Sequence, residues 1–508
     1  MKSLLSPTIM SWWNVWVTIC GIVAIYFLSR TWEALSYSLK TKTHKCGKIK
    51  FYKTKDPVWG IDFMNNLSRS LQENRILSWM EELWASQGTK TFRVSFMGKR
   101  VIYSRDLENM KAVSTTQFQE FLVEPVNGHL DPFLGSALST ADGKVWQHSR
   151  NLVKPYFERQ AFANVQRLAP FTDRLFSLLP TDGETFDIQP LLSRWFLDAT
   201  TSFLFGRSRD SLIKAENKDV MLAIFDIVRG ASARRSMGPL KYLFRDAKWH
   251  ESIQFAHNYL NDHIDQALDE LKARNQNPEK FTAESDRTDL LWSLVQQLND
   301  RILLRDQLAA LWIPGMESTS ILVSNILFFL SRHPRVWKRL QSEVNAIGQE
   351  GLTYNTLRNM QYMTWVINET QRVFPAGVSM TRVAGKDTTL PRGGGADGQQ
   401  PVFCAKGDLV VCNRYLLHRD PEYWGEDAAE FRPERWDGIR PFWNFVPFGG
   451  GPRICPANVM AVTEAAYFVA RFCQKYKSIE SRDDRPFTPV LHAGVSNLNG
   501  VKIAVISW

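Results

Sequence analysis

Closely spaced cysteine pairs are missing from this 508-residue sequence, whose six cysteines stand at positions 20, 46, 404, 412, 455 and 473. That spacing excludes the paired thiols that bind zinc or cycle disulfides, and it makes a disulfide framework unexpected. A reducing compartment is the natural setting, and one cysteine is then free to act as a thiolate ligand. Repeats, low-complexity tracts and internal linkers are also missing. With 29 glycines and 23 prolines against 44% hydrophobic residues, the chain is neither fibrous nor disordered. No shift in composition divides it after the first fifty or so residues, so one large domain is expected behind an N-terminal appendage. Acids are scarce between Arg30 and Lys55, where Lys40, Lys42, Lys45, Lys48, Lys50 and Lys53 add to a formal charge of +10. This run directly follows an apolar stretch, so it fits an anionic membrane face better than nucleic acid.

From Met10 to Leu28 the sequence carries no charge. Such a stretch, at about 1.5 Å per residue, nearly spans a hydrocarbon layer of roughly 30 Å. No small-x-small cleavage pattern follows Leu28, so the segment reads as an uncleaved anchor rather than a signal peptide. Trp12, Trp13 and Trp16 crowd one end, where indoles favour the headgroup zone, and the basic run follows the other end. By the positive-inside rule the large domain faces the cytosol, on the endoplasmic reticulum of a eukaryotic cell. The expected organisation is an anchor over 1–30, a basic linker over 31–55 and a large domain over 56–508.

Apolar residues recur at helical spacing from Asn65 to Tyr476, while strand-like runs are short, near residues 91 to 104, near 408 and at the end. The expected fold is mainly α with small β-sheets. One helix, from about Leu303 to Leu330, stays apolar on nearly every side, which predicts burial through the middle of the domain. It contains Pro314, Gly315, Met316, Glu317, Ser318 and Thr319. The proline removes a backbone donor, so the helical ladder is expected to open there. An unpaired Glu317 would cost several kcal/mol, roughly, in a plain core helix, which points to a chemical use.

Phe448-Gly449-Gly450-Gly451-Pro452-Arg453-Ile454-Cys455-Pro456-Ala457 is the strongest local signal. Glycines let the backbone turn tightly against a flat ligand and deliver Cys455 just ahead of a helix N-terminus. There the helix dipole and free amides favour a thiolate, a soft ligand that suits iron. The stretch resembles the heme-binding signature of the cytochrome P450 family, with Phe448, Gly451, Arg453 and Cys455 in register and Ala457 where the family has glycine. Three further matches follow the family's order. Glu369 and Arg372 resemble its E-x-x-R, Phe431 to Trp436 resembles the segment whose arginine, here Arg435, completes a charge triad, and Trp146 with Arg150 resembles its W-x-x-x-R.

The resemblance implies a cytochrome P450 fold, heme b with Cys455 as axial iron ligand, and use of O2. It implies that Arg150, Arg382 and Arg453, with Trp146, hold the heme propionates, and that Glu369, Arg372 and Arg435 lock the heme-side core. Glu317, Ser318 and Thr319 match the positions that deliver protons, and Gly315 the one that leaves room for oxygen. Pro314 and Ser318 depart from the pattern at that helix, and serine is less tightly fixed than a β-branched threonine. Pocket walls carried over from the family are Phe121, Leu122, Phe133, Leu134, Leu311, Gly315, Val378, Ser379 and Leu491. All but two of these are apolar, so a lipophilic substrate is expected.

No flavin or nicotinamide fingerprint occurs, and Gly393-Gly394-Gly395 lacks the strand-to-helix context of a phosphate loop. Electrons are therefore expected from a separate NADPH-cytochrome P450 reductase, with cytochrome b5 as a second donor, at a basic face around the Cys455 loop that includes Lys144 and Lys475. The segment Ala233 to Trp249 mixes cations with large apolar residues and suits the membrane interface. The reading favoured is a monooxygenase of fungal secondary metabolism acting on a terpenoid or polyketide. Terminal hydroxylation of fatty acids or alkanes is the alternative. A reductase-independent isomerase or dehydratase, and a non-catalytic heme sensor, are alternatives of other classes.

Overall fold

Helices supply most of the domain because its apolar residues recur every three to four positions. The computed structural model describes all residues except 1–6, 159–162, 181, 215–217, 278, 280–286, 348–350 and 492–493, and their side chains except at 7–13, 124, 125, 218, 219, 221, 236, 238 and 239. The side chains of Trp12 and Trp13 therefore lie outside the described residues. Helix α1 (Pro7–Thr43) is long and apolar enough to cross a membrane, and its span from Asn14 buries nothing inside the protein.

The expected linker is largely ordered. Helix α1 continues unbroken through position 30 to Thr43, because Tyr37 donates to the Phe403 carbonyl at 2.7 Å and Lys40 pairs with Asp387 at 2.7 Å. Beyond it, single bridges join Ile49 to Gly394 and Phe51 to Arg93. Helix α1 is thus bonded to the large domain along its last turns.

A five-stranded sheet lies on this side, built from β1 (Thr91–Phe96), β2 (Lys99–Ser104), β3 (Phe121–Leu122), β4 (Ser379–Ala384) and β5 (Leu409–Asn413) in the order β1-β2-β5-β4-β3. Only β2 and β5 run parallel, and Arg382 of β4 faces Val410 of β5. The register brings β4 beside the segment that follows β5, which starts with Arg414.

Six helices complete the frame of the site: α2 (Gly143–Val153), α3 (Gln189–Phe205), α4 (Lys218–Ser236), α5 (Ala247–Gln276), α6 (Arg301–Trp312) and α7 (Pro314–Leu330). They are followed by α8 (Gln361–Val373) and α9 (Asn458–Lys475). The Asp300 carboxylate starts α6 by accepting from the amides of Ile302 and Leu303 at 2.9 and 3.1 Å. The long apolar helix is interrupted at Ile313, where Pro314 has no N–H to continue the ladder. Helix α7 packs between α3 and α9, and nearly all of its residues from Thr319 onward are buried. Around it Trp195, Tyr467, Phe468 and Tyr476 are fully enclosed, each stabilising by roughly 1.5–3 kcal/mol for a large side chain.

Helices α4 and α5 form a second layer with α6. Gly230 allows this close approach, since a Cβ there would lie 2.1 Å from the Trp249 ring, whose Nε1 donates to the Ile227 carbonyl at 3.0 Å. Between α4 and α5 a turn over Gly238–Leu243 exposes Leu240, Tyr242 and Leu243. Exposed apolar side chains of this size on a turn suit a membrane interface.

Candidate active site

The loop before α9 is held by backbone rather than by side chains. The Cys455 amide donates to the Phe448 carbonyl at 3.1 Å, closing the loop on itself. Gly451 has φ of 66°, and a Cβ there would sit 1.9 Å from the Ser114 carbonyl oxygen, so no other residue fits. Burial pushes the Cys455 thiol above its ordinary range, opposed by the Ala457 amide and by the charges of Arg150 and Arg414. Burial outweighs the helix-end stabilisation of the free thiolate that the sequence suggests. The sulfur is thus desolvated with two cations nearby, conditions in which a soft metal ion would supply the missing stabilisation.

Next to this loop is a cavity of about 360 Å³, lined by Ser379 and Arg382 of β4, by Arg414, and by Phe448, Gly450 and Arg453 of the loop. Arg453 stacks on Trp146 with its guanidinium 4.6 Å from the ring and is fixed by the Asp142 carboxylate at 2.5 Å and the Ala141 carbonyl at 2.7 Å. Arg382 donates to the Thr381 carbonyl at 2.8 Å, and burial pushes its pKa down to about 10. Arg150 lies outside this lining, and the group that acts on it electrostatically is Cys455.

Arg414 is a residue the sequence reading did not single out. Its guanidinium reaches the Ser379 and Pro447 carbonyls at 3.3 Å each, and burial pushes its pKa down to about 10. A Cβ at Gly377 would lie 2.2 Å from Arg414 Nη2, so the glycine makes room for the cation. The signal available was a lone arginine directly after the apolar strand DLVVCN, a place where an unpaired charge is expensive. The Nε atoms of Arg414 and Arg453 and the Ser379 hydroxyl are buried without partners. A flat ligand bearing two carboxylates, as heme does, fits these donors, the glycine loop and the buried sulfur together.

On α8, Glu369 and Arg372 face the same side, and both are fully buried. Arg372 donates from Nε and Nη2 to the two carboxylate oxygens at 2.9 Å each, and Arg435 donates from Nε at 2.8 Å. The Arg432 amide at 2.8 Å and the Trp436 indole at 3.0 Å complete the carboxylate's partners. Arg372 spends its remaining donors on the carbonyls of His418, Ala428 and Glu430. Every donor thus closes a loop of the chain onto α8.

The break between α6 and α7 corrects two expectations. Gly315 does not open a space for oxygen: a Cβ there would lie 3.0 Å from the Thr200 methyl on α3, and the Thr200 hydroxyl donates to the Gly315 carbonyl at 2.6 Å. The glycine serves the packing of α7 on α3. Thr319 is buried and hydrogen-bonds Glu464 of α9, which also receives Arg167. Successive residues on a helix diverge by about 100°, so Thr319 and Ser318 point to different surroundings. Glu317 and Ser318 are half-buried on the first turn of α7.

Several expected pocket walls also lie elsewhere. Phe121 pairs with Ala384 in the sheet and is buried in that sheet's own apolar core, because its strand alternation turns it inward. Leu122 rests against Gly385. Phe133 stacks on the His257 ring at 5.5 Å, and it and Leu134 pack with α5 and α6, where Leu311 joins them. Val378 is buried beside Phe63 and Tyr415. Leu491 is exposed in a hairpin, Pro489–Leu491 with Val495–Asn497, near whose turn a Cβ at Gly494 would meet Ile321 of α7 at 3.1 Å. Of the expected walls, Ser379 lines the cavity.

A mainly helical frame, a half-buried cysteine in a glycine loop and converging arginines define a heme-thiolate protein. The sequence profile described as Cytochrome P450 matches residues 57–499, and the chain belongs to the cytochrome P450 family. It is 44% identical to the cytochrome P450 monooxygenase apdE of Emericella nidulans over 92% of this chain and 91% of the relative. It is also 44% identical to the cytochrome P450 monooxygenase iccC of Talaromyces variabilis over 96% of this chain and 97% of that one. Cytochrome P450 52A13 of Debaryomyces hansenii is 34% identical over 99% of this chain and 98% of its own. Family membership carries heme-thiolate iron and the use of O2.

Proposed function

We propose that the chain inserts one oxygen atom from O2 into a lipophilic precursor of a fungal secondary metabolite, with electrons from NADPH-cytochrome P450 reductase and cytochrome b5 as a second donor. The observation that carries the reading is the cavity beside the Cys455 loop, where donors without partners face a space bordered by glycines. Bound there, heme held by a thiolate would supply O2 binding and its reductive cleavage. Cys455 would hold the iron through its sulfur. Arg382, Arg414 and Arg453 hold the propionates, with Trp146 fixing Arg453 by stacking and Arg150 adding positive charge near the sulfur. The triad of Glu369, Arg372 and Arg435 keeps the loops beneath the site in place. Glu317 moves protons toward the cavity, and the Ser318 hydroxyl holds a water in line with it.

Helix α1 and the turn at Leu240 to Leu243 seat the domain on the cytosolic face of the endoplasmic reticulum, so the precursor arrives from the lipid phase. The similarity of about two fifths to two monooxygenases over nearly their whole lengths supports the activity. The test is reconstitution with reductase and NADPH against a panel of terpenoids, polyketides and long-chain fatty acids, with products read by mass spectrometry. Oxygenated terpenoid or polyketide products that depend on NADPH are expected. Efficient terminal hydroxylation of fatty acids would replace the substrate assignment, product without reductase would replace the reaction class, and heme binding without turnover would leave a sensor.

A further inference from the structure

Two adjacent arginines end helix α4, and they are used differently. Arg234 donates to the carbonyls of Gly128 and His129 at 3.1 and 2.7 Å, and Lys241 adds a bond to Gly128 at 3.0 Å. These bonds clamp α4 and the turn after it onto the segment that follows β3. Arg235 instead lines the cavity, together with Val126 and Asn127 from the segment after β3 and with residues of β4 and the cysteine loop. Its side chain is accessible, yet surrounding protein lowers its pKa by burial, and the titratable neighbour acting on it is the Tyr103 hydroxyl. Arg235 is thus an accessible cation among the residues that line the cavity.

Counting charges in that space leaves Arg235 over. Four guanidinium groups line it, at Arg235, Arg382, Arg414 and Arg453, and Arg453 is already paired with Asp142. Two propionates are matched by Arg382, Arg414 and the Trp146-stacked Arg453, which leaves Arg235 without a heme carboxylate. Among the described residues no carboxylate lines this cavity, and the planar fork of donors on a guanidinium matches a carboxylate. We propose that Arg235 pairs with a carboxylate carried by the substrate, so that the lipophile taken up by this enzyme is an acid. The inference rests on the heme-thiolate reading above, and it narrows the substrate from lipophilic to lipophilic and anionic.

The test compares octanoate, dodecanoate and hexadecanoate with the matching alcohols on the purified holoenzyme, by the Soret shift and by calorimetry, for the wild type, R235Q and R235K. The reduced carbon monoxide spectrum of each protein reports the heme-thiolate site independently. Expected is tighter binding of acids than alcohols by the wild type, a loss of roughly ten- to a hundredfold for acids in R235Q, partial recovery in R235K, and alcohol affinities within about twofold throughout. Equal affinities for acids and alcohols in the wild type would overturn the proposal. So would an R235Q protein that binds acids normally but retains heme poorly or shows a changed heme reduction potential, because Arg235 would then serve a propionate. A wild type without the thiolate band would overturn the heme-thiolate reading instead, and the calorimetric comparison would still decide the acid site.

Discussion

Replacing Glu369 by glutamine keeps the shape of the side chain and removes its charge, at a position where the carboxylate accepts from Arg372 twice, from Arg435, from the Arg432 amide and from the Trp436 indole. One carboxylate oxygen takes three of these donors and the other takes the Arg372 Nε and the indole. A glutamine can keep its oxygen toward the first group, but its NH2 then points at two N–H donors. Two hydrogen bonds are lost, donors face each other, and two guanidinium groups with buried side chains have no carboxylate between them. Removing one partner of a buried pair costs about 3–5 kcal/mol, and leaving each donor unpaired costs about 1–3 kcal/mol. Against a total stability of about 5–15 kcal/mol, E369Q is expected to sit at the edge of folding. Urea unfolding followed by tryptophan fluorescence, with Soret absorbance per protein read on the same samples, measures both consequences. An E369Q protein that unfolds within about 1 kcal/mol of the wild type and keeps its heme would refute the reasoning.

Three further outcomes follow from particular contacts. T319V removes a hydrogen bond to the buried Glu464 and is expected to cost about 1 kcal/mol of stability with unchanged coupling of NADPH to product, whereas S318A raises hydrogen peroxide release with little change in stability; equal uncoupling in both variants would reverse the division between them. G377A pushes a methyl into the Arg414 guanidinium and is expected to lower heme retention, measured by Soret titration with added hemin. Burial holds His418 neutral down to about 3, far below its ordinary 6.5, while its Nε2 accepts from the Val446 amide at 2.9 Å. Below pH 6.5 the unfolded chain binds a proton that the folded one refuses, so stability is full above that pH and falls as pH drops toward the folded value, by up to about 1.4 kcal/mol per pH unit. His129 and His263 shift in the same direction, both to about 4. Urea midpoints between pH 7 and 5 check the sign, and a flat profile would refute it.

Much of the frame was legible because its signals are local. The buried central helix, the charge-free anchor and the glycine loop each sit in one stretch, where periodicity, length and turn chemistry decide the outcome. Side-chain direction within the site was not legible in the same way. Ser318 and Thr319 are adjacent in sequence, and only the packing of α7 between α3 and α9 decides that Thr319 meets Glu464. Phe121 was misplaced for a similar reason: a two-residue strand has no alternation to read, and pairing with β4 sets which face it presents. Arg414 escaped because its meaning depends on Gly377, thirty-seven positions away, and on the cavity that Arg414 borders.

The two departures from the family pattern at Pro314 and Ala457 become intelligible once backbone geometry is considered. Helix α6 ends at Trp312 and α7 begins at Pro314, with Ile313 between them at right-handed helical angles, so the proline removes one ladder bond while its own φ stays compatible with a helix. Beside the break the Thr200 hydroxyl donates to the Gly315 carbonyl and ties the first turn of α7 to α3. Ala457 stands directly before α9 with φ of −91° and ψ of 14°, a conformation open to any L-residue, so the glycine usual there is not needed for its backbone freedom. Both substitutions therefore fall at helix starts that already tolerate them. The demanding glycine of the loop is Gly451, whose positive φ and contact with Ser114 admit no side chain, and it is retained.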